Sequence, residues 1–273
     1  MRGLIVVVFV MLASRAVAQT TMITVSSPPC INPAPPSAAL PPATPSVAAG
    51  TLAARNRDFA LALANFKPLA DQGDADAERA LGQLLMQNCT GLQDKSAAVA
   101  WLTKAASRGN VSARNQLGFA NLHGLGVTQD DAKAFAFFNQ TAAVGDAVGE
   151  AELGYLYDTG RGVPQDKYQG LQWTVKAAEQ GNAAALSRIA AAYIHGEILE
   201  RDTDRAAYFL ALTNERSNAA ERAGMMGLAQ EIRQTLSADH LAWMAKRAQG
   251  WTPGAGSLRD VLSDAEDFRK RKK

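Results

Sequence analysis

Between Leu153 and Ala185 the chain runs LGYLYDTGRGVPQDKYQGLQWTVKAAEQGNAAA, and the punctuation of this stretch recurs through the sequence at a fixed distance. Asp166 belongs to a column with Asp58, Asp94, Asp130 and Asp202, each 36 residues from the next. Gly181 has the same relation to Gly73, Gly109 and Gly145, and Ala178 to Ala70, Ala106 and Ala142. Leu153 falls in line with Leu81, Leu117 and Ile189, and Gly154 with Gly82 and Gly118, Ala190 taking the fourth place. Independent columns sharing one period are the mark of a repeat architecture.

Each column has a physical meaning. From Asp130 the segment DDAKAFAFFNQTAAVG spaces Ala134, Phe137, Phe138, Thr141 and Ala142 as one helix face, with Asp130 at the N-cap, where a carboxylate accepts orphan backbone N–H groups. Gly145 ends that helix, since a closing turn at positive φ favours glycine. The next helix runs from about Asp146 through ELGYLYD to Gly160, and GRGVPQD, with Pro164 unable to continue a helix, returns the chain to the next Asp. One period is therefore helix, turn, helix, turn. The leucine column supplies a knob, and the glycine after it lets neighbouring helices approach.

A lone helix pair cannot bury its apolar face, so the pairs must stack. This predicts an all-α fold, an α-solenoid of 36-residue units over residues 51–252. A helix from about Asp58 to Gln72 opens it, and helix pairs start near 74, 110, 146 and 182. AERAGMMGLAQEIRQTL continues as one helix, and SADHLAWMAKRAQGW, capped by Ser237 or Asp239, closes the stack, with Trp243 and Trp251 placed over its open end.

The two ends of the chain differ from this body. Residues 1–18 carry Arg2, an apolar run from Leu4 to Ala13 and Ala16-Val17-Ala18, the pattern of a secretory signal peptide cleaved after Ala18. The run is too short to span a bilayer. Residues 19–50 hold eight of the eleven prolines, which makes this segment an extended spacer. Residues 253–273 place Leu258, Val261, Leu262, Ala265 and Phe268 on one helical stripe ahead of the basic run Arg269 to Lys273. Such a tail either frays into solvent or makes weak contact with an anionic membrane surface or acidic partner.

Beyond residue 18, basic and acidic residues balance at 26 each, and outside the terminal basic run the body is acidic, which excludes phosphate-neutralising nucleic-acid binding. No metal-ligand spacing, nucleophile elbow, HExxH motif or phosphate-cradling glycine loop is present, so no cofactor and no enzymatic activity is expected. His123 and His195 share one slot before Gly124 and Gly196, where a histidine interacts with last-turn carbonyls. Cys30 and Cys89 form either a disulfide tying the spacer to the first unit or two free thiols.

The stretch Leu153 to Ala185 resembles the Sel1-like repeat, a relative of the tetratricopeptide repeat whose pattern is small-Leu-Gly, Tyr, Gly-x-Gly-Val, Asp, Ala, Trp, Ala-Ala and Gly. The copy beginning near 110 departs at Asn121, where Tyr157 and Tyr193 stand in later copies, and the first has Asn88, Cys89 and Thr90 in place of Gly-x-Gly. The resemblance implies a concave surface used for protein–protein contact, often in envelope assembly or signalling. With the export signal, this gives an exported, non-enzymatic scaffold that binds a peptide or helix of an envelope partner. Tyr155, Tyr157 and Tyr193, with Phe119 and Asn121 in equivalent places, are the expected groove residues. Two other roles stay open: an assembly factor for a cell-surface polysaccharide or secretion machine, and a cell-wall or β-lactam hydrolase, for which no nucleophile can be named.

Overall fold

The computed structural model describes residues 44–87, 92–217, 219–254 and 258–271. The signal peptide, most of the spacer, Cys30 and Cys89 lie outside the described residues. Those described are helical, without a strand. In chain order the helices are α1 Val47–Arg55, α2 Phe59–Asp71, α3 Ala75–Met86, α4 Lys95–Ser107, α5 Val111–His123, α6 Asp131–Ala143 and α7 Ala147–Thr159. They continue as α8 Lys167–Glu179, α9 Ala183–His195, α10 Thr203–Arg216, α11 Ala219–Gly224, α12 Met226–Thr235, α13 Ala238–Gln249 and α14 Arg259–Arg271. From α1 to α10 each helix packs on the next, and the departures come at the C-terminal end, where α13 packs on α10 and α14 on α8.

The Asp column caps the second helices: the carboxylates of Asp94, Asp130, Asp166 and Asp202 accept the N–H three residues on, at 2.9 to 3.0 Å. Asp74, Asn110, Asp146 and Asn182 do the same for the first helices α3, α5, α7 and α9. Gly73, Gly109, Gly145 and Gly181 all sit at positive φ between the two helices. The knobs Leu81, Leu117, Leu153 and Ile189 are buried, each worth about 2 kcal/mol against solvent. Beside Leu153, a Cβ on Gly154 would stand 2.9 Å from the Gly170 carbonyl oxygen, so α7 and α8 meet backbone to backbone.

Consecutive units are also joined by polar bonds. Arg161 grips Asp131 with two parallel hydrogen bonds, at 2.9 and 2.7 Å, and donates a third to the Leu122 carbonyl at 2.9 Å. One period on, Lys167 pairs with Glu197 at 2.5 Å. Beside the first pair, Gly162 lies at φ +70°, and a Cβ there would fall 2.2 Å from the Asp131 carbonyl oxygen.

Four features depart from the sequence reading. The array starts inside the proline-rich stretch: Ser46 caps α1, and its N–H donates to Asn65 Oδ1 at 3.1 Å while Gly50 packs on Phe66. The single helix expected over AERAGMMGLAQEIRQTL is two, α11 and α12, broken at Met225, which has no side-chain cap bond and follows Gly224. Trp243 does not cover the end of the stack; it is 52% exposed, and Met244 and Ala248 are the buried residues of α13. Trp251 is half-buried, with the Arg216 guanidinium 4.7 Å from its ring centre. The described part of the tail is neither frayed nor turned outward, since Leu258 and, on α14, Val261 and Ala265 are buried against the array and Arg271 pairs with Glu200 at 2.7 Å.

Two outcomes follow for stability. Gly162→Ala adds a backbone clash to left-handed strain of about 1–2 kcal/mol, whereas Gly109→Ala, with nothing within 4 Å of its Cβ, adds the strain alone. Urea denaturation should therefore show the larger loss for Gly162→Ala, and equal losses would refute the close approach. Arg161→Glu should cost about 1–2 kcal/mol, and adding Asp131→Lys should restore part of it, the Leu122 bond staying lost. No recovery in that double-mutant cycle would show the pair to be energetically idle.

Candidate protein-binding face

The first helices present a side that the stack leaves uncovered. On α5 the incompletely buried residues include Ser112, Gln116, Phe119 and His123, and on α7 Val148, Glu152, Tyr155 and Thr159, spaced four, three and four apart as one stripe. Phe119 and Tyr155 occupy one repeat slot, held by Gln83 on α3 and Ala191 on α9. Gln116, Glu152 and Arg188 occupy the slot beside it. The face is thus an aromatic pair with a polar, then acidic, then basic row along its flank.

Packing holds the aromatics in place. Phe119 meets Phe138 edge to face at 5.1 Å and lies parallel to the His123 ring at 6.4 Å. The Arg188 guanidinium stands 5.2 Å from the Tyr155 ring centre, donates to the Ala151 carbonyl and pairs with Glu152 at 3.4 Å. Arg161 interacts with the Tyr155 hydroxyl from the other side. A half-buried aromatic body with a wet polar tip is the kind of side chain enriched in protein interfaces.

The electrostatics are tied to the same groups. Hydrogen bonds from Arg161 hold the Asp131 carboxyl below its ordinary pKa, and Asp131 in turn raises that of Arg161. Burial, then the positive charge of Arg161, push His123 below 6.5, with Glu152 and Asp131 opposing. The imidazole beside Phe119 is thereby shifted toward its neutral form. Both ion pairs, Arg161–Asp131 and Arg188–Glu152, are formed and mostly buried, and what the face offers a ligand is the aromatic surface with these paired heads at its rim.

Of the five expected groove residues, Phe119 and Tyr155 share one slot and pack on the same core cluster. Asn121, Tyr157 and Tyr193 fall outside that slot, because they lie two residues along the helix, about 200° round it. Asn121 is 7% exposed and donates to the Leu117 carbonyl at 2.8 Å. Tyr157 meets Phe135 of α6 edge to face at 5.6 Å. Tyr193, 1% exposed, stacks on Phe209 at 5.9 Å and donates to Asp264 at 2.9 Å, so it is a core residue covered by α14. Glu152, Arg188 and His123 were missed as members of the face, although the 36-residue frame places them beside Phe119 and Tyr155. His195 contacts the Ala191 carbonyl at 2.8 Å, the last-turn contact foreseen for it. Among the described residues no cluster of metal-ligating side chains occurs.

The geometry can be set beside known proteins. The family model described as Sel1 repeat matches residues 75–110, 111–146, 147–182 and 183–216, together just over half of the chain. Comparison with curated proteins gives no match. Among solved structures, a Sel1 repeat protein from Oxalobacter formigenes is similar at 21% identity and a TM-score of 0.57, over 79% of this chain and 94% of that one. A protective antigen of uropathogenic Escherichia coli displaying an SLR fold is similar at 24% identity and a TM-score of 0.59, over 82% of this chain and 47% of that one. These two likenesses concern the fold. The matched units begin at the first residue of α3, α5, α7 and α9, and the chain belongs to the Sel1 repeat family.

Proposed function

We propose that the chain is an exported, non-enzymatic adaptor that holds an extended peptide or a helix of another envelope protein against the first-helix face. Sel1 repeat proteins are typically non-catalytic interaction scaffolds, which supports the class of function. Export rests on the pattern of residues 1–18. The single observation that carries the binding site is the Phe119–Tyr155 pair, one slot in consecutive units, held half-exposed by packing and flanked by Glu152 and Arg188. An apolar side chain of the partner settles between the two rings, and its neighbouring polar groups meet the charged row. No helix among the described residues is long and apolar enough to cross a membrane. Of the tail's apolar stripe, Leu258, Val261 and Ala265 are turned inward.

A photo-crosslinking residue placed at Tyr155, and at Ala136 on the second-helix side as control, tests this in envelope extract. A partner captured from 155 and not from 136, and lost when Arg188→Glu is added to a chain of unchanged circular dichroism, is the expected result. Equal capture from both positions, or capture indifferent to Arg188, would remove the face from consideration.

The His123 ring gives a second outcome. A histidine with a lowered folded pKa leaves the unfolded chain to bind the proton first, so its contribution to stability is complete above pH 6.5 and declines as pH falls below it. An NMR titration should place the His123 midpoint below 6.5, and Arg161→Gln should raise it. A midpoint above 6.5 would contradict the burial and charge assigned to this ring.

A further inference from the structure

The second-helix side of the last units carries a different surface, and it is occupied. α14 lies outside the 36-residue frame, yet it is seated against α8 with Leu258, Val261 and Ala265 buried. Beside this narrow aliphatic strip run three carboxylates. Asp264 pairs with Arg205 and accepts from the Tyr193 hydroxyl, Asp260 lies 3.9 Å from Arg205, and Glu266 accepts from the Tyr168 hydroxyl at 2.9 Å. At the other end the Leu258 N–H donates to the Glu179 carboxylate at 3.2 Å.

Two observations mark this surface as made for a helix and not finished by α14. First, its residues are peculiar to it: Tyr168, Val175, Glu179 and Arg205 are replaced one period earlier by Ala132, Asn139, Ala143 and Gln169. Second, the fit is incomplete. A crevice of about 500 Å³ stays open between α8 and α14, walled by Gln169, Gln172, Trp173 and Lys176 on one side and Arg259 and Leu262 on the other. The ionic contacts that hold α14 are partly exposed, with Arg205 38% and Asp264 34% accessible, so salt screens them and the seat rests chiefly on the three small aliphatic side chains Leu258, Val261 and Ala265.

We propose that this α8–α10 surface is a docking site for an acidic amphipathic helix of a partner protein, and that α14 fills it only while the partner is absent. The partner helix presents the carboxylate spacing of Asp260, Asp264 and Glu266 beside its aliphatic strip, with a large apolar residue in place of Leu262 that fills the crevice along α8. α14 is then a resident competitor, and the site is separate from the Phe119–Tyr155 face.

The probe is a fluorescent synthetic peptide of residues 257–271 carrying Leu262→Trp, titrated into the full-length protein and followed by anisotropy. A full-length variant with Val261→Asp and Asp264→Lys, which unseats α14, should bind it at least tenfold more tightly than the wild type, and adding Arg205→Glu should lose at least tenfold. Equal binding by the wild type and the unseated chain, no binding to an unseated chain of native circular dichroism, or indifference to Arg205→Glu would overturn the proposal. Should the unseated chain fail to fold, hydrogen exchange on the wild type decides. Saturating peptide should speed exchange of the α14 amides and leave those of α5 and α7 unchanged, and α14 protection unaltered by the peptide would show it to be a permanent part of the fold.

Discussion

Each full unit of the array is closed by one aspartate acting twice. The side chains of Asp94, Asp130, Asp166 and Asp202 cap the helix that follows. Their own N–H groups donate to the carbonyls of Leu85, Asn121, Tyr157 and Tyr193, nine residues back on the helix that precedes, at 2.9 to 3.1 Å. One residue thereby fixes where the second helix starts and how its turn leaves the first. With glycine at the other turn, the geometry between helices has little freedom, and stacking can repeat with a constant step. Asp58 marks the limit of the rule: its N–H goes only five residues back, to Ala53, because α1 precedes the first full unit.

This explains what could be read from the sequence and what could not. Caps, turn glycines and leucine knobs are satisfied within one period or by the adjoining helix, so they leave a columnar trace. The helix starts at Ala75, Val111, Ala147 and Ala183 follow from such local rules. Burial of Tyr193 does not, because it depends on Asp264, 71 residues away on a helix outside the frame. Nor does α1, whose start rests on Ser46 meeting Asn65 and on Gly50 meeting Phe66. Tyr155 and Tyr157 look alike in sequence and are both half-buried, and their separation of about 200° round the helix is what sends them to different neighbours, Tyr155 to the cluster that includes Leu122 and Leu153 and Tyr157 to Phe135.

A strict repeat carries a hazard, since identical interfaces allow units to pair out of order. The junctions here are not identical. Asp131 and Lys167 stand in one slot, as do Arg161 and Glu197, so the two ion pairs are the same contact with its charges exchanged. A slip by one unit would set Lys167 against Arg161, or Asp131 against Glu197, and like charges at such distances oppose association. The preceding junction has Lys95 and Leu125 in those slots, which distinguishes it again.

The same frame shows how the array keeps most of its aromatics quiet. Trp101, Phe137, Trp173 and Phe209 form a column on the second helices, and three of its members are covered in two different ways. Lys104 places its ammonium 3.8 Å from the Trp101 ring centre, Lys176 lies 4.0 Å from that of Trp173, and Phe209 is buried in the core cluster that includes Met244 and Ala248 of α13. A lysine over a ring contributes a cation–π contact and drapes its own hydration across the apolar surface, which lowers the gain a partner would have from covering it. On the first-helix side the arginines at Tyr155 are already engaged, Arg188 with Glu152 and the Ala151 carbonyl and Arg161 with Asp131, and Phe119 has the His123 imidazole. Desolvating a neutral ring and a paired guanidinium costs less than stripping a free ammonium. On this count the rings at Phe119 and Tyr155 cost less to cover than those at Trp101 and Trp173, over which a lysine ammonium must be desolvated.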